Sequence, residues 1–181
     1  MPATRQDWAK GYARQALSDL HARETLARAS SEKCHRLHFL QMAAEKACKA
    51  HLSMANGHEN VRRTHACIAR NLPLMARHFY SVLNDNSQLS QWEVSEIRRM
   101  AHEIEVLAPA CDGGDVREDN SEYPWADAQG NIRTPCEYNF PKIDDGSRTI
   151  ARLIRLIRTA SESYSGHSNL TQYDVPGLEN T

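Results

Sequence analysis

Four arginines near the C-terminal end of the chain recur at a spacing that favours chemistry with phosphate or carboxylate groups. They are Arg148, Arg152, Arg155 and Arg158. At 100° per residue they fall within about 120° on one side of a helix, opposite the isoleucines. No acidic residue separates them, whereas a solvated helix face usually mixes charges of both signs.

A row of guanidinium groups suits the phosphates of RNA or DNA, or an acidic partner protein. The alternative is that acidic side chains from the preceding, acid-rich segment pair with the arginines. Those acids are Asp112, Asp115, Glu118, Asp119 and Glu122.

Two Cys–His pairs occur at helical spacing, Cys34 with His38 and Cys48 with His51. Zinc accepts such ligands, but the first pair falls near the polar side of its helix and His51 on the apolar side. One ion would not collect all four, so we predict no metal and no cofactor, and expect the thiols to fill the core. His51 is expected to be a partly buried histidine bonded to a carbonyl or a water, with a functional role as the alternative.

The commoner kinds of active site have no sequence signature here. The chain contains no G-x-G-x-x-G, phosphate-binding G-x-x-x-x-G-K-[ST], G-x-S-x-G or H-E-x-x-H motif. Glu45, Lys46 and Lys49 share one helix face and could form a charged site within a bundle. A solvated surface or the rim of a dimer is the interpretation we favour for them.

Composition indicates a single domain of 181 residues with nearly balanced charge, 22 basic against 23 acidic residues. No global field therefore drives the protein onto nucleic acid or anionic lipid. Five cysteines without a C-x-x-C pair fit a reduced, cytoplasmic protein. No stretch approaches the roughly 18 apolar residues of a membrane span, and the first ten residues lack the apolar core of a signal peptide, so no membrane partner is expected.

The elements that must position these residues are predicted to be helices. Asp7 is expected to cap the first of them, and Ser90 with Glu93 forms a capping box for a later one that ends before Pro109. Proline disturbs the preceding helical turn, so Pro73 is expected to break or kink the third helix. The other predicted helices cover residues 8–29, 36–52, 60–84 and 147–164.

The second helix has an alanine-rich face. At 100° per residue, His38, Gln41, Glu45 and Lys49 cluster on one side, and small or apolar residues fill an arc of roughly 140° on the other. This arc consists of Leu37, Leu40, Ala43, Ala44, Ala47 and Cys48. Small side chains predict a neighbouring helix packed at the short end of the usual separation of about 8–10 Å.

Residues 109–145 differ from the helices, with four prolines and three glycines among polar and aromatic residues. A connection of this length predicts an organised insert or a lid. Residues 123–135 are expected to form a hairpin that turns near Gly130. Four aromatic residues are expected to pin it to the helices: Tyr123, Trp125, Tyr138 and Phe140.

These patterns together predict an all-α, antiparallel bundle of about five helices with a long, partly structured insert before the last helix. The bundle is expected to cover residues 1–164, and residues 165–181 read as a polar tail.

Two segments of this bundle resemble the HEPN domain family. "LQMAAEKACKAHL" (residues 40–52) resembles the second-helix signature of that family, and "NSEYPW" (residues 120–125) resembles the tyrosine–proline segment that follows a later helix. The resemblance implies a helical bundle, frequently a homodimer, in prokaryotic systems. The family includes ribonuclease toxins, antiviral effectors and members without known catalysis. Its catalytic members use an arginine and a histidine four to six residues apart, without metal, to activate a ribose hydroxyl and stabilise phosphate charge.

That catalytic pair is not clearly present in this chain. Literal matches at Arg14–His21 and Arg28–His35 are no more than composition alone produces, and they lie on or beside the first two helices. The resemblance instead implies candidates in the later half of the bundle, where seven residues separate Arg70 from His78 and a tyrosine follows Arg117 in place of histidine. The candidate catalytic residues are Arg70, His78, Arg117, Tyr123 and His65.

The resemblance therefore implies an RNA-directed protein of a toxin–antitoxin or antiviral system, and possible metal-independent ribonuclease activity. Its expected partners are a second copy of the chain, RNA, and a cognate antitoxin or defence protein. The alternative is a non-catalytic, dimeric helical module that binds a partner protein or a nucleotide. A zinc or small-molecule enzyme is a third hypothesis.

Overall fold

The fold is a helical bundle, as the sequence predicts. The computed structural model describes residues 2–56, 61, 67–83, 89–109 and 117–166. Within these ranges it contains five α-helices: α1 (Arg5–Arg28), α2 (Lys33–Asn56), α3 (Ile68–Leu83), α4 (Gln91–Glu105) and α5 (Arg148–Ser165). In the same ranges, none of the helices has both the length and the apolar character needed to cross a bilayer.

Helix α1 begins earlier than the sequence predicts. Its N-cap is Thr4, whose side chain accepts from the Asp7 backbone N–H, while the Asp7 carboxylate accepts from the Thr4 backbone. Asp7 is thus the third helical residue of a capping box and not the cap itself. A carboxylate also suits this position because the helix dipole is positive there.

The alanine-rich face of α2 is completely buried, which confirms that another part of the bundle packs against it. Ala43, Ala44 and Ala47 each have an exposed fraction of 0%. Helix α1 packs extensively against α2 and contributes small buried residues of its own, among them Ala13 and Ala16. Small side chains on both helices leave room for their backbones to approach closely.

The opposite, polar side of α2 is buried or half-buried, so the favoured prediction of a solvated surface or dimer rim for Glu45, Lys46 and Lys49 was wrong, and these residues form the alternative, a charged group within the bundle. Gln41 and Lys49 have exposed fractions of 1% and 6%. Lys49 Nζ lies 2.7 Å from Glu45 Oε1, and Lys46 Nζ lies 2.8 Å from a carboxylate oxygen of Asp19 in α1. Helix α2 contacts all four other helices, so its charged groups must pair inside the bundle.

Helix α3 continues through Pro73, so of the predicted break or kink the break does not occur. The proline lies inside the helix and is buried. Its missing N–H removes one helical hydrogen bond, but Leu72 and Met75 beside it are fully buried, and this packing holds both sides of the helix in place. The first part of the predicted third helix, including His65, lies outside the described residues.

The described part of the insert contains the predicted hairpin. Strands β1 (Trp125–Ala126) and β2 (Ile132–Arg133) pair antiparallel, and Gly130 has the positive φ of 80° that the turn requires. A single turn of 3-10 helix follows at Pro135–Glu137. Trp125 stacks edge to face on Tyr138 at 5.2 Å within the insert. The predicted anchoring to the helices is correct for Phe140, which belongs to the hydrophobic core of the bundle, and for Tyr138, which packs against that core. It is wrong for Tyr123, which is 54% exposed.

Candidate functional site

An apolar groove opens between α4 and α5, and we identify it as the candidate binding site. Its empty volume, including the part open to solvent, is about 590 Å³. Ala76 of α3 and Leu153 and Leu156 of α5 are buried residues of its lining. The remaining lining residues are Leu89, Trp92, Glu93, Glu96, Ile97, Thr149, Arg152 and Arg155.

The groove exists because α4 and α5 contact each other only sparsely, while α3 packs against both. Each of the two helices that form its walls begins at a serine N-cap: the Ser90 side chain accepts from the Glu93 N–H, and the Ser147 side chain from the Ile150 N–H. These caps satisfy N–H groups that the first helical turn leaves without partners. They also fix the start of both walls beside the groove.

Trp92 is the most unusual residue of this site, because 66% of its surface is exposed. At 100° per residue it lies 120–180° away from Ile97, Ala101 and Ile104, the apolar stripe of α4. The capping box beside Trp92 is predictable from the sequence, but Trp92 itself was not among the predicted site residues. A large aromatic residue opposite the buried stripe was the signal that identifies it.

The predicted arginine face divides into two parts. Arg158, at the edge of the arc, forms an ion pair with Glu24 of α1. Arg152 lies 3.5 Å from Glu93, and its side chain stays 63% exposed. Arg148 and Arg155 are exposed, and neither forms an ion pair with any residue that the structure describes. Positive charge therefore remains available along the α5 wall of the groove.

The acids of the insert do not neutralise these arginines within the described residues, so the alternative proposed from sequence is wrong there. Asp119 pairs with Lys142 at 3.4 Å, and Glu122 lies 3.5 Å from His38. Asp112 and Asp115 lie outside the described residues. The arginine face instead finds its two partners on α1 and α4.

A different ion cluster holds the end of the insert to the bundle. The Asp145 carboxylate pairs with Arg23 of α1 and lies 2.7 Å from Arg36 of α2. Burial acts to raise the pKa of Asp145, but the hydrogen bonds and charges of the two arginines outweigh it and hold that pKa below its usual value. Lys33 reinforces the attachment by donating to the backbone carbonyl of Asn139 at 2.7 Å.

The candidate catalytic residues on α3 do not come together. Arg70 is exposed in the first turn of the helix, and His78 is half-buried two turns later. They are eight positions apart, which corresponds to about 12 Å along the helix axis. They are placed too far apart to act on one phosphodiester bond from their own helix.

The two candidate catalytic residues of the insert, Arg117 and Tyr123, make different contacts. Arg117 donates to the Glu105 carbonyl at the end of α4, at 3.4 Å. The Tyr123 side chain is exposed, and its backbone N–H is bonded to the side chain of Asn120 at 2.7 Å. The fifth candidate, His65, lies outside the described residues.

His78 belongs to a different cluster, at the junction of α2, α3 and α5. Its ring lies 6.0 Å from that of His51, and His51 Nδ1 lies 2.6 Å from Tyr164 Oη. Burial lowers the pKa of His51 to about 4, with a smaller contribution from His78, and burial also lowers the pKa of His78. The pKa of Tyr164 is raised, mainly by burial. Both histidines are thus neutral at physiological pH, and the predicted carbonyl or water partner of His51 is a tyrosine instead.

The cysteines of α2 and the start of α3 are core residues, as expected. Cys34, Cys48 and Cys67 are buried. Burial raises the pKa of each of these thiols, to about 12 for Cys67, so they are protonated and poor nucleophiles. In the part of the chain that the structure describes, no three His, Cys, Asp or Glu side chains are grouped so as to hold a metal ion.

No family model matches the chain, and neither a curated protein nor a solved structure matches it. The candidate site therefore depends on the geometry described above.

Proposed function

We propose that this protein is a HEPN-like, non-catalytic interaction module of a prokaryotic defence or toxin–antitoxin system, and that it binds a partner protein through the groove between α4 and α5. A homodimer in the cytoplasm is the form in which we expect it to act.

The observation that carries the proposal is the exposure of Trp92 at the mouth of an apolar groove, beside the exposed Arg152 and Arg155. Tryptophan and arginine are enriched among the residues that contribute most to protein–protein binding. An exposed apolar patch rimmed by polar groups is also a typical protein-binding surface.

The chemistry of the other candidate residues supports binding without catalysis. A general base works best with a pKa near the operating pH, whereas the pKa of His51 is about 4. Arg70 and His78 lie two turns apart, and the buried thiols are protonated. None of these groups offers an activated nucleophile together with a base.

A second candidate function is the binding of RNA, with or without cleavage. Exposed arginines at positions 148, 152 and 155 favour it, because phosphates bind such a row and a base can stack on Trp92. The apolar lining of the groove, with Ala76, Leu153 and Leu156, opposes it, because phosphates gain nothing from apolar contacts. The apolar lining therefore favours a protein.

Incubation of the purified protein with total RNA in EDTA separates catalysis from binding. We expect intact RNA with the wild-type protein and with three variants, Arg70→Ala, His78→Ala and Arg117→Ala. Cleavage by the wild-type protein that one of these variants abolishes would support the ribonuclease instead. Salt-sensitive RNA retention that an Arg152→Ala/Arg155→Ala double variant loses would establish RNA binding.

A photo-crosslinking amino acid at position 92 tests the protein partner directly, in cells of the source organism. We expect discrete protein adducts at this position, reduced by the charge reversal Arg155→Glu. The matched control is the same amino acid at Ile132, which is 70% exposed on the insert. Equal adducts at both positions, or adducts with RNA alone, would contradict the proposal.

A further inference from the structure

We infer that the groove between α4 and α5 takes an amphipathic helix with an acidic edge, contributed by the partner protein. This inference rests on the proposed function and names the kind of partner that the groove fits. Three properties of the groove carry it: its length, the absence of a strand edge and the sign of its available charge.

The length of the groove matches two turns of a helix. Its α5 wall extends from Thr149 to Leu156, and the seven helical steps between these residues span about 10.5 Å at 1.5 Å per residue. A partner helix that presents apolar side chains at positions i, i+3 or i+4, and i+7 spans the same distance.

The walls of the groove favour a helix over an extended peptide. An extended peptide needs backbone hydrogen bonds from a sheet edge, and both walls here are helices whose backbone groups are bonded within the helix. A bound strand would leave its own N–H and C=O groups against apolar Leu153 and Leu156. A helix brings its backbone bonds already formed, so it can bury side chains in the groove without that cost.

The available charge on the rim is positive. Glu96 is paired with Arg99 at 2.9 Å, and Glu93 lies 3.5 Å from Arg152. Arg155 is exposed and without an ion pair in the described part of the chain. A partner helix therefore gains most from acidic residues along the edge that faces α5.

The arginine spacing also fits a helix. Arg148, Arg152 and Arg155 lie within about 60° at 100° per residue and rise by about 6 and 4.5 Å along α5. Acidic residues four and three positions apart on a partner helix rise by the same amounts. A nucleic acid has no need of the apolar floor, which makes an acidic helix the better match to the whole surface.

The experiment uses three synthetic peptides of about 18 residues, labelled with fluorescein. The first carries leucines at i, i+4 and i+7 and glutamates along one edge. The second has lysine in place of each glutamate, and the third has the sequence of the first with a central proline that prevents a continuous helix. Fluorescence anisotropy measures binding to the full-length protein and its variants.

We expect the acidic peptide to bind most tightly and the proline-containing peptide to bind at least about tenfold more weakly. Trp92→Ala should weaken the binding of the acidic peptide by at least about tenfold, because it removes a central aromatic contact. Arg155→Glu should weaken the binding of the acidic peptide by about fivefold to tenfold, because it replaces attraction by repulsion. The same substitution should strengthen the binding of the lysine peptide. The matched control is Arg14→Glu, at an exposed arginine of α1 away from the groove. This variant should bind the acidic peptide and the lysine peptide as the wild-type protein does.

The possible failures are distinguishable. If the lysine peptide binds better than the acidic one and Trp92→Ala weakens it, the groove binds a helix but the inferred charge is wrong. If all peptides bind equally and no groove variant matters, or if none binds at about 100 µM, the inference fails. Discrete protein adducts at position 92 would then still support the proposed function, and their absence would overturn it as well. If Trp92→Ala converts a dimer to a monomer in sedimentation velocity, a second copy occupies the groove and the inference is overturned.

Discussion

The burial of His51 makes the stability of this protein depend on pH. His51 Nδ1 lies 2.6 Å from Tyr164 Oη, and the His78 ring lies 6.0 Å away. The pKa of His51 falls from 6.5 to about 4, mainly because the imidazole is buried. In the unfolded chain the same imidazole is solvated, so protonation must favour unfolding.

The sign and size of this effect follow from the two pKa values. Between pH 6.5 and about 4 the unfolded chain binds a proton that the folded protein does not, so the free energy of unfolding falls as the pH falls. The stability is fully present above pH 6.5 and lost below about pH 4. At about 1.4 kcal/mol per pH unit the whole loss is about 3 kcal/mol, of which about 2 kcal/mol is reached at pH 5. The lowered pKa of His78 acts in the same direction.

Urea denaturation followed by circular dichroism at pH 7.5 and pH 5 measures this loss. We expect His51→Gln to remove most of the difference between the two pH values, whatever its effect on stability at pH 7.5, because glutamine does not titrate. His102→Gln, at an exposed position of α4, is the control and should keep the full difference. An equal loss of stability in wild type and His51→Gln would refute the assignment to His51.

Two further predictions concern the core and the insert, both measured by urea denaturation. Ala44 in α2 has an exposed fraction of 0%, so Ala44→Leu adds volume to a filled site and should lower the free energy of unfolding by about 1–3 kcal/mol. The control Ala27→Leu, on the exposed side of α1, should change the free energy of unfolding by less than about 0.5 kcal/mol. Equal effects of the two substitutions would contradict the close packing. Asp145→Ala leaves Arg23, with a 9% exposed side chain, without its partner and should cost about 3 kcal/mol. Arg99→Ala breaks only an exposed pair and should cost less than about 1 kcal/mol, so a similar cost for the two would disprove the anchoring role.

The helices could be predicted from sequence because their signals are local. The Ser90–Glu93 capping box and the alanine arc of α2 each depend on residues three or four positions apart, and the structure has both as predicted. The arginines of α5 were found in the same way. Their spacing places them on one face of a helix, independently of the rest of the fold.

The features that sequence could not give depend on residues far apart in the chain. Arg23 and Asp145 are separated by 122 positions, and no periodicity links them. The polar side of α2 predicts a solvated surface, but the central position of that helix buries Lys49 and forces it to pair with Glu45. The groove between α4 and α5 could not be predicted from the sequence either, because it depends on how α3 holds the two helices apart.

The distribution of acidic groups decides which surface of this bundle remains available for binding. Asp145 pairs with arginines of α1 and α2, and Asp119 pairs within the insert. Because these carboxylates are already paired, they do not cover the α5 wall, where Arg155 stays exposed beside Trp92. An Asp145 variant that detached the insert would free a carboxylate-rich segment to compete for that wall. We therefore expect the attachment of the insert to α1 and α2 to be a condition for binding at the groove.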